Sequence, residues 1–170
     1  MGHEQHRHEA PSSVRVFVVT ASDTRSEADD ESGAFLRAAA LAAGHTLAGY
    51  RIVRDEVDEV RGALHDAADA GAEVVLVNGG TGIAARDRTY EAVTSLLEKR
   101  IDGFGELFRK LSFDEIGAAA MLSRAVAGVW GGRAVFSVPG SRAAVRLAWE
   151  KLIGPELGHV VRELRKDAAG

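Results

Sequence analysis

Two aspartates follow predicted strands, in polar turns where carboxylates often bind a metal ion. Asp55 comes just after the apolar segment 47–53, and Asp87 lies five residues after the string Gly79-Gly80-Thr81-Gly82. Magnesium usually takes one or two carboxylates together with phosphate oxygens and water. If the fold brings Asp55 and Asp87 together, the pair predicts a magnesium site that serves a phosphate-bearing ligand.

The string Gly79-Gly80-Thr81-Gly82 has a physical use beside such a metal. Without Cβ atoms, backbone amides can approach a phosphate closely and adopt positive φ angles. The hydroxyl of Thr81 adds a further donor. The same residue types also form ordinary tight turns, so the string alone leaves the choice between a phosphate site and a turn open.

Each candidate side chain also has an ordinary structural use. A lone aspartate in a loop often closes a turn or caps a helix, and Asp87 precedes a helix expected from about Tyr90. Asp23 can pair with Arg25 instead of facing a ligand. Four arginines near these loops can neutralise phosphate or can equally be solvated at the surface. They are Arg86, Arg88, Arg124 and Arg142.

The elements that must position these residues alternate between strands and helices. Apolar, β-branched segments predict strands at residues 14–19, 47–53, 73–78 and 133–138. Helical spacing predicts helices at 33–43, 56–70, 90–98 and 142–165, the last broken near residues 154–155, with Thr89 as the cap of the third. Residues 26–32 look acidic and mobile. Residues 100–132 give only a glycine-rich loop at 101–105 and short helical pieces at 106–111 and 113–121.

This alternation predicts an α/β fold with a mostly parallel sheet and helices on both faces. In such sheets ligands bind outside the carboxyl ends of the strands. Four turns should therefore meet at one edge of the sheet. They contain Ser22-Asp23, Asp55, the glycine string and Pro139-Gly140-Ser141.

Composition narrows the class of protein. The 170 residues fit one domain at 14–165, after a polar tail at 1–13 whose His3, His6 and His8 have no evident role. There are no cysteines, and a net charge of -4 argues against a nucleic-acid partner. No apolar run reaches the roughly 20 residues that span a membrane, and no secretory signal is visible, so the cytoplasm is expected.

Several common catalytic motifs are missing. The first strand does not end in the glycine pattern of dinucleotide-binding folds, and the chain contains neither a P-loop nor a nucleophile elbow. Nicotinamide-dependent, P-loop and serine-hydrolase chemistry are therefore not expected.

Taken together, the motifs resemble the MoaB/MogA family of molybdenum-cofactor biosynthesis proteins. The resemblance covers residues 14–153. It is carried by Ser22-Asp23, Gly79-Gly80-Thr81-Gly82, Asp87, Gly103-Phe104-Gly105-Glu106, the segment 111–117, Ser123-Arg124-Ala125 and Pro139-Gly140-Ser141.

The resemblance implies a three-layer α/β/α sandwich that assembles into homotrimers or hexamers. It implies that the chain binds molybdopterin and, in the catalytic branch, transfers AMP from Mg-ATP to the terminal phosphate with release of pyrophosphate. Asp55 and Asp87 would then be catalytic and would hold Mg²⁺. The implied substrate- and nucleotide-binding residues are Ser22, Asp23, Gly79, Gly80, Thr81, Gly82, Ser123, Arg124, Gly140 and Ser141.

Two features depart from the catalytic pattern. Tyr90 stands where the family often has proline, and the segments 27–33 and 108–111 look closer to the MoaB branch. In organisms that also carry MogA, a MoaB protein need not be catalytic. The alternatives of a non-catalytic molybdopterin-binding paralogue and of a pathway scaffold therefore stay open.

Overall fold

A mixed sheet of six strands forms the centre of the chain in a computed structural model that describes residues 10–166. The strand order is β2-β1-β3-β6-β5-β4. The first four strands in that order are parallel, and β5 runs antiparallel to both β6 and β4. The strands are β1 Arg15–Ala21, β2 Thr46–Val53, β3 Val74–Asn78, β4 Lys99–Arg100, β5 Val126–Trp130 and β6 Arg133–Val138.

Helices cover both faces of this sheet. They are α1 Glu31–Ala42, α2 Val57–Asp69, α3 Thr89–Thr94, α4 Asp102–Ile116, α5 Arg142–Ala148 and α6 Gly154–Arg165. A 3-10 helix, Gly117–Leu122, follows α4, and a π-helical turn, Trp149–Ile153, joins α5 to α6. The predicted α/β class with a mostly parallel sheet between two helical layers is confirmed.

Two hydrophobic cores lie on opposite faces of the sheet. Val16 and Val18 of β1 point into the core formed with α1, α4, α5 and α6, whereas Val19 points into the core formed with α2 and α3. Successive side chains of a strand alternate between its faces, so a strand covered on both sides is apolar throughout. This explains why β1 and β3, which are buried almost throughout, were predictable as apolar segments.

The region 100–132 is where the sequence prediction was wrong. Residues 102–116, expected as a loop and two separate helical pieces, form one continuous helix, α4, and the rest of the second piece lies in the 3-10 helix. The strands β4 and β5 were not predicted. A Cβ atom on Gly105 would lie 2.8 Å from the carbonyl oxygen of Ala125. Glycine at this position therefore allows α4 to pack closely against the backbone that enters β5, and it does not mark a loop.

The ends of the chain differ in detail from the sequence prediction. The last helix is interrupted at the π-helical turn, Trp149–Ile153, which ends directly before the expected break at residues 154–155. Pro155 lies in the first turn of α6, where its missing N–H is tolerated. Of the predicted tail, residues 1–9 with their histidines lie outside the described residues. Within residues 10–166, no helix is both long and apolar enough to cross a membrane.

Candidate functional site

Asp55 and Asp87 line the same recess at the carboxyl edge of the parallel strands. This recess, the small recess, has a volume of about 170 Å³. Its remaining lining residues are Ala21, Ser22, Asp23, Thr24, Gly80 and Arg86. The turns after β1, β2 and β3 thus meet at one rim, as ligand-binding turns do in open α/β sheets.

Asp55 is buried and holds the chain that leads into α3. Its Oδ1 accepts hydrogen bonds from the amide of Arg88 at 3.0 Å and from the hydroxyl of Thr89 at 2.9 Å. The amide of Asp55 donates to Oδ1 of Asp23 at 3.1 Å. Thr89, expected as a helix cap, is instead the first residue of α3 and donates its hydroxyl to Asp55. Asp55 therefore links the turns after β1, β2 and β3.

The glycine loop, residues 79–82, has a shape that only glycine allows at its first two positions. Gly79 has φ +101° and Gly80 has φ +64°. A Cβ on Gly79 would lie 2.1 Å from the carbonyl oxygen of Ala21, and one on Gly80 would lie 2.5 Å from both carboxylate oxygens of Asp55. The first two glycines are thus required by close packing on Ala21 and Asp55, whether or not a phosphate binds there.

Asp87 closes a turn in the segment that follows the glycine loop. Its Oδ2 accepts from the amide of Ala84 at 2.9 Å, and its own amide donates to the carbonyl of Ala84 at 2.9 Å. The alternative that Asp87 caps α3 is wrong, because the cap residue is Arg88 and it forms no side-chain capping bond. Among residues 10–166, no hydrogen bond reaches Oδ1 of Asp87 or Oδ2 of Asp55.

Arg124 clamps the other side of this loop. Its Nε donates to the carbonyl of Gly82 at 3.0 Å, and its Nη2 donates to the carbonyl of Asp87 at 3.0 Å. Its Nη1 donates a hydrogen bond to Glu91, and this bond, with the charge of Arg124, holds the pKa of Glu91 below its usual value. Its guanidinium lies 4.8 Å from the ring centre of Tyr90. The side chain predicted to contact phosphate therefore fixes the loop that carries Asp87.

Arg124 also lines a second, larger recess on its own side of the loop. This large recess has a volume of about 510 Å³. Its walls combine apolar side chains with charged ones, and they are formed by Val57, Ile83, Ala84, Ala85, Asp87, Arg88, Glu91 and Arg124. Asp87 lies in both recesses, and the segment 83–88 separates them.

The hydroxyl groups predicted to bind substrate shape their own loops. The hydroxyl of Ser22 accepts from the amide of Arg25 at 3.1 Å, that of Ser123 accepts from the amide of Ala125 at 3.3 Å, and that of Ser141 caps α5 through the amide of Ala144 at 3.2 Å. Each of these bonds occupies a lone pair of the serine oxygen and leaves the O–H group available to donate to a ligand.

The predicted arginines have different surroundings. Arg86 lines the small recess, whereas the side chain of Arg88 pairs with Glu56 at 3.1 Å and faces the large recess. Arg142 lies 3.6 Å from Glu31 at the surface. Of the four arginines, Arg86 is thus the one placed to neutralise an anion in the small recess.

Sequence reasoning missed a buried carboxylate at the start of α1. Asp30 is 1% exposed, although the segment 26–32 had been interpreted as mobile. Burial alone would raise the pKa of Asp30, but hydrogen bonds from Thr20, Tyr50 and the Gly33 amide, with the charge of Arg25, hold it below its usual value. An aspartate three residues before Gly33 is a helix-cap signal that would have placed the start of α1 correctly.

A family model described as a probable molybdopterin binding domain matches residues 17–159. The chain belongs to the MoaB/MogA family of molybdenum-cofactor biosynthesis proteins. The molybdenum cofactor biosynthesis protein B of Halalkalibacterium halodurans is 54% identical to the chain over 169 residues, covering 98% of the chain and 99% of that protein. The resemblance to the MoaB/MogA family is thus confirmed.

Solved structures of the MoaB/MogA family share the fold. A crystal structure of a molybdenum cofactor biosynthesis protein B superposes with a TM-score of 0.89 at 51% identity, covering 93% of this chain and 99% of that one. A tungsten cofactor synthesizing MoaB from Pyrococcus furiosus gives a TM-score of 0.86 at 39% identity, covering 92% of this chain and 100% of that one. Both of these structures match the chain over nearly their full length.

Some of the MoaB/MogA motifs line the two recesses of the rim. Ser22-Asp23 and Gly80 lie at the small recess, and Arg124 lies at the large one. Gly140 and Ser141 line neither recess. The turn that they form lies behind the glycine loop, since a Cβ on Gly140 would be 3.1 Å from the Cα of Gly79.

Proposed function

We propose that the chain binds molybdopterin and transfers AMP to its terminal phosphate from Mg-ATP, releasing pyrophosphate. The observation that supports this proposal is that Asp55, Asp87, Asp23 and Arg86 all line one small recess beside the glycine loop. A phosphate oxygen of molybdopterin attacks the α-phosphorus of ATP. The bond from the α-phosphorus to the oxygen that bridges it to the β-phosphorus then breaks, and pyrophosphate leaves with the electron pair.

The carboxylates at the small recess suit Mg²⁺. Asp55 and Asp87 each have one oxygen engaged in holding a loop, and among residues 10–166 their second oxygens accept no hydrogen bond. Within the same residues, no three His, Cys, Asp or Glu side chains form a group that could hold a metal. The ion would therefore complete its coordination with phosphate oxygens and water, which is the usual arrangement for Mg²⁺. When bound, it neutralises charge on the triphosphate.

The residues of the chain supply positioning and electrostatic stabilisation. The nucleophile is a phosphate oxygen that is already ionised near neutral pH, so the reaction needs no strong general base. It does require that two anionic substrates be held together, and correct positioning can supply about 7–11 kcal/mol. In this proposal Arg86 and the amides of Gly80, Thr81 and Gly82 stabilise the charge that develops on the α-phosphate and on pyrophosphate.

The volumes of the two recesses indicate which part of the ligands each would hold. Pockets that bury a whole small molecule measure about 300–1,000 Å³. At about 170 Å³ the small recess suits phosphates and a metal ion, whereas the large recess, at about 510 Å³, suits a ring system. Its apolar wall from Val57, Ile83 and Ala84 supports this division.

A non-catalytic molybdopterin-binding paralogue is the second candidate. It is favoured by the relatives at 54% and 53% identity, whose names place them in the cofactor pathway as protein B and state no transferase activity. Such a protein would keep the two recesses and bind the pterin without forming a product. The presence of aspartate at both position 55 and position 87 favours the catalytic candidate.

We also propose a homo-oligomer, as predicted from the resemblance. Large apolar side chains are exposed on α4 and on the 3-10 helix after it, and this set is called the α4 patch. Its members are Leu107, Phe113, Ile116, Met121 and Leu122, with exposures of 45–78%. Exposed apolar surface of this kind marks contact sites in soluble proteins. The predicted cytoplasmic location stays a prediction.

The direct test of the proposed function is a product assay. The purified protein is incubated with molybdopterin, ATP and Mg²⁺, and adenylylated pterin and pyrophosphate are measured. The catalytic candidate requires both products in equal amounts. Tight pterin binding with neither product would favour the non-catalytic paralogue, and no pterin binding at all would contradict both candidates.

A further inference from the structure

Asp30 is a buried carboxylate that lies outside both recesses. Its Oδ2 accepts hydrogen bonds from the hydroxyl of Thr20 at 2.6 Å and from the hydroxyl of Tyr50 at 2.5 Å. Its Oδ1 accepts from the amide of Gly33 at 3.0 Å and lies 3.6 Å from a guanidinium nitrogen of Arg25. A helix cap needs only the bond to the Gly33 amide. The other three partners therefore require a further explanation.

One connection runs from Asp30 to the start of the glycine loop. The hydroxyl of Thr20 donates to Asp30 and accepts from Nδ2 of Asn78 at 2.9 Å. Asn78 is fully buried, ends β3 and directly precedes Gly79. Because each bond in this chain points its donor toward the carboxylate, the bonds polarise and strengthen one another. Asp30 thus fixes the point at which the glycine loop leaves the sheet.

A second connection runs from Asp30 to the turn after β6. Nη2 of Arg25 donates to the carbonyl of Gly140 at 3.0 Å, and the hydroxyl of Ser32 donates to the same carbonyl at 2.7 Å. The turn at Gly140 packs directly on the backbone of Gly79. The loop that carries Ser22 and Asp23 is held in the same way, because it ends at Arg25.

We propose that Asp30 is a positioning residue, which holds the glycine loop, the 22–25 loop and the turn at Gly140 in the arrangement that receives the phosphates. It does so through Thr20, Asn78 and Arg25, without touching the substrate. The proposal rests on the proposed function, since that function assigns these loops to phosphate binding. It names a residue for which neither the motifs nor the recesses had indicated a role.

The substitution Asp30→Asn tests the proposal with little change of shape. All the groups that face the carboxylate are donors, namely two hydroxyls, an amide and a guanidinium. In either orientation, the NH₂ group of asparagine would face at least one of them. Asparagine is nevertheless a good helix cap, so α1 itself should persist. The matched control is Asp58→Asn, which removes one charge from an exposed aspartate in the first turn of α2.

The readouts are amide hydrogen exchange and kinetics. In Asp30→Asn, exchange at residues 22–25, 79–82 and 140–144 should rise by about tenfold or more, because the loops open locally. The KM for ATP should rise by on the order of tenfold with a smaller change in kcat, as expected when binding is weakened in ground state and transition state alike. Asp58→Asn should change neither quantity. Exchange that rises only at residues 31–34, the cap of α1, would overturn the proposal.

A second variant covers the case in which Asp30→Asn does not fold. Arg25→Met breaks the connection to Gly140 at a side chain that is one-third exposed, and it keeps the connection through Thr20. Exchange should rise at 22–25 and 140–144 and stay unchanged at 79–82. If exchange in all three loops of Arg25→Met stayed at the wild-type rate, the proposal would be overturned. If the wild-type protein forms no adenylylated product, the proposed function fails, and the exchange data still decide whether Asp30 holds the loops.

Discussion

Asp55 and Asp87 each use one carboxylate oxygen to hold a loop, and each is also proposed to hold Mg²⁺. Substituting either residue can therefore affect both folding and catalysis. Asp55 accepts from the amide of Arg88 and the hydroxyl of Thr89, so its removal disturbs the entry to α3. Among residues 10–166, the Asp87 carboxylate accepts from the amide of Ala84 alone, in a turn near the surface. Asp87 is therefore the better residue for separating chemistry from folding.

Replacing Asp87 with alanine should abolish AMP transfer and leave molybdopterin binding largely intact. Loss of one preorganised electrostatic group typically lowers kcat by about 100–1,000-fold. Pyrophosphate release measures the rate, and fluorescence titration with molybdopterin measures the binding. Asp69→Ala, at the far end of α2, is the control and should keep full activity. Unchanged turnover in Asp87→Ala would defeat the assignment.

Ionisation of Asp30 should also make the free energy of unfolding depend on pH in the acidic range. Its pKa in the folded protein lies below the usual value, so it stabilises the fold fully above the unfolded-state pKa of about 3.9. This contribution is lost progressively as the pH falls below that value toward the folded-state pKa. Urea unfolding between pH 6 and pH 2 should therefore show a smaller loss of stability in Asp30→Asn than in the wild type. Parallel curves for the two proteins would contradict this prediction.

At the scale of elements, the parallel part of the sheet was predictable and the antiparallel part was not. Strands buried on both faces are continuous apolar segments, as in Val74–Asn78, and such segments are easily identified. The strand β4 has only two residues, and β5 contains a glycine, so neither gives a periodic signal. The glycines of α4 concealed a helix, because their packing role depends on neighbours distant in sequence.

Replacing two glycines of α4 with alanine should change the stability of the protein in opposite directions. A Cβ on Gly105 would lie 2.8 Å from the carbonyl oxygen of Ala125, whereas one on Gly103 would meet nothing within 4 Å. Gly105→Ala should therefore destabilise the protein by about 1–3 kcal/mol through overpacking. Gly103→Ala should stabilise it by up to about 1 kcal/mol through helix propensity. Thermal unfolding of both variants measures the difference, and equal melting temperatures would contradict the packing role of Gly105.

The sequence predicted that three loops of the candidate site would meet, but it did not predict the contacts that hold them. The turns after β1, β2 and β3 were expected at one rim, and Asp55, Asp87 and Asp23 all line the small recess there. The clamp by Arg124 joins the end of the 3-10 helix to the glycine loop over 42 residues of sequence. No local pattern encodes such contacts, because they depend on where β5 and its preceding helix lie in the fold.

At the scale of the whole molecule, the α4 patch should be covered by a second copy of the chain. Replacing Phe113 and Ile116 with aspartate places charge on this patch, where the two side chains are 59% and 61% exposed. The variant should therefore be a monomer, or a smaller assembly than the wild type, in light-scattering measurements of molar mass. Leu41→Asp, at an exposed leucine of α1, is the control. A wild-type protein that is already monomeric would contradict the predicted assembly.

The metal dependence of ATP binding tests the central claim most directly. Calorimetric titration with ATP, in Mg²⁺ and in chelator, is applied to the wild type, Asp55→Asn and Asp87→Asn. Because the two carboxylates are proposed to hold one Mg²⁺ against the triphosphate, the wild type should bind at least about tenfold more tightly with Mg²⁺, and both variants should lose that difference. The same affinity with and without Mg²⁺ in the wild type, or an undiminished Mg²⁺ effect in both variants, would contradict the account.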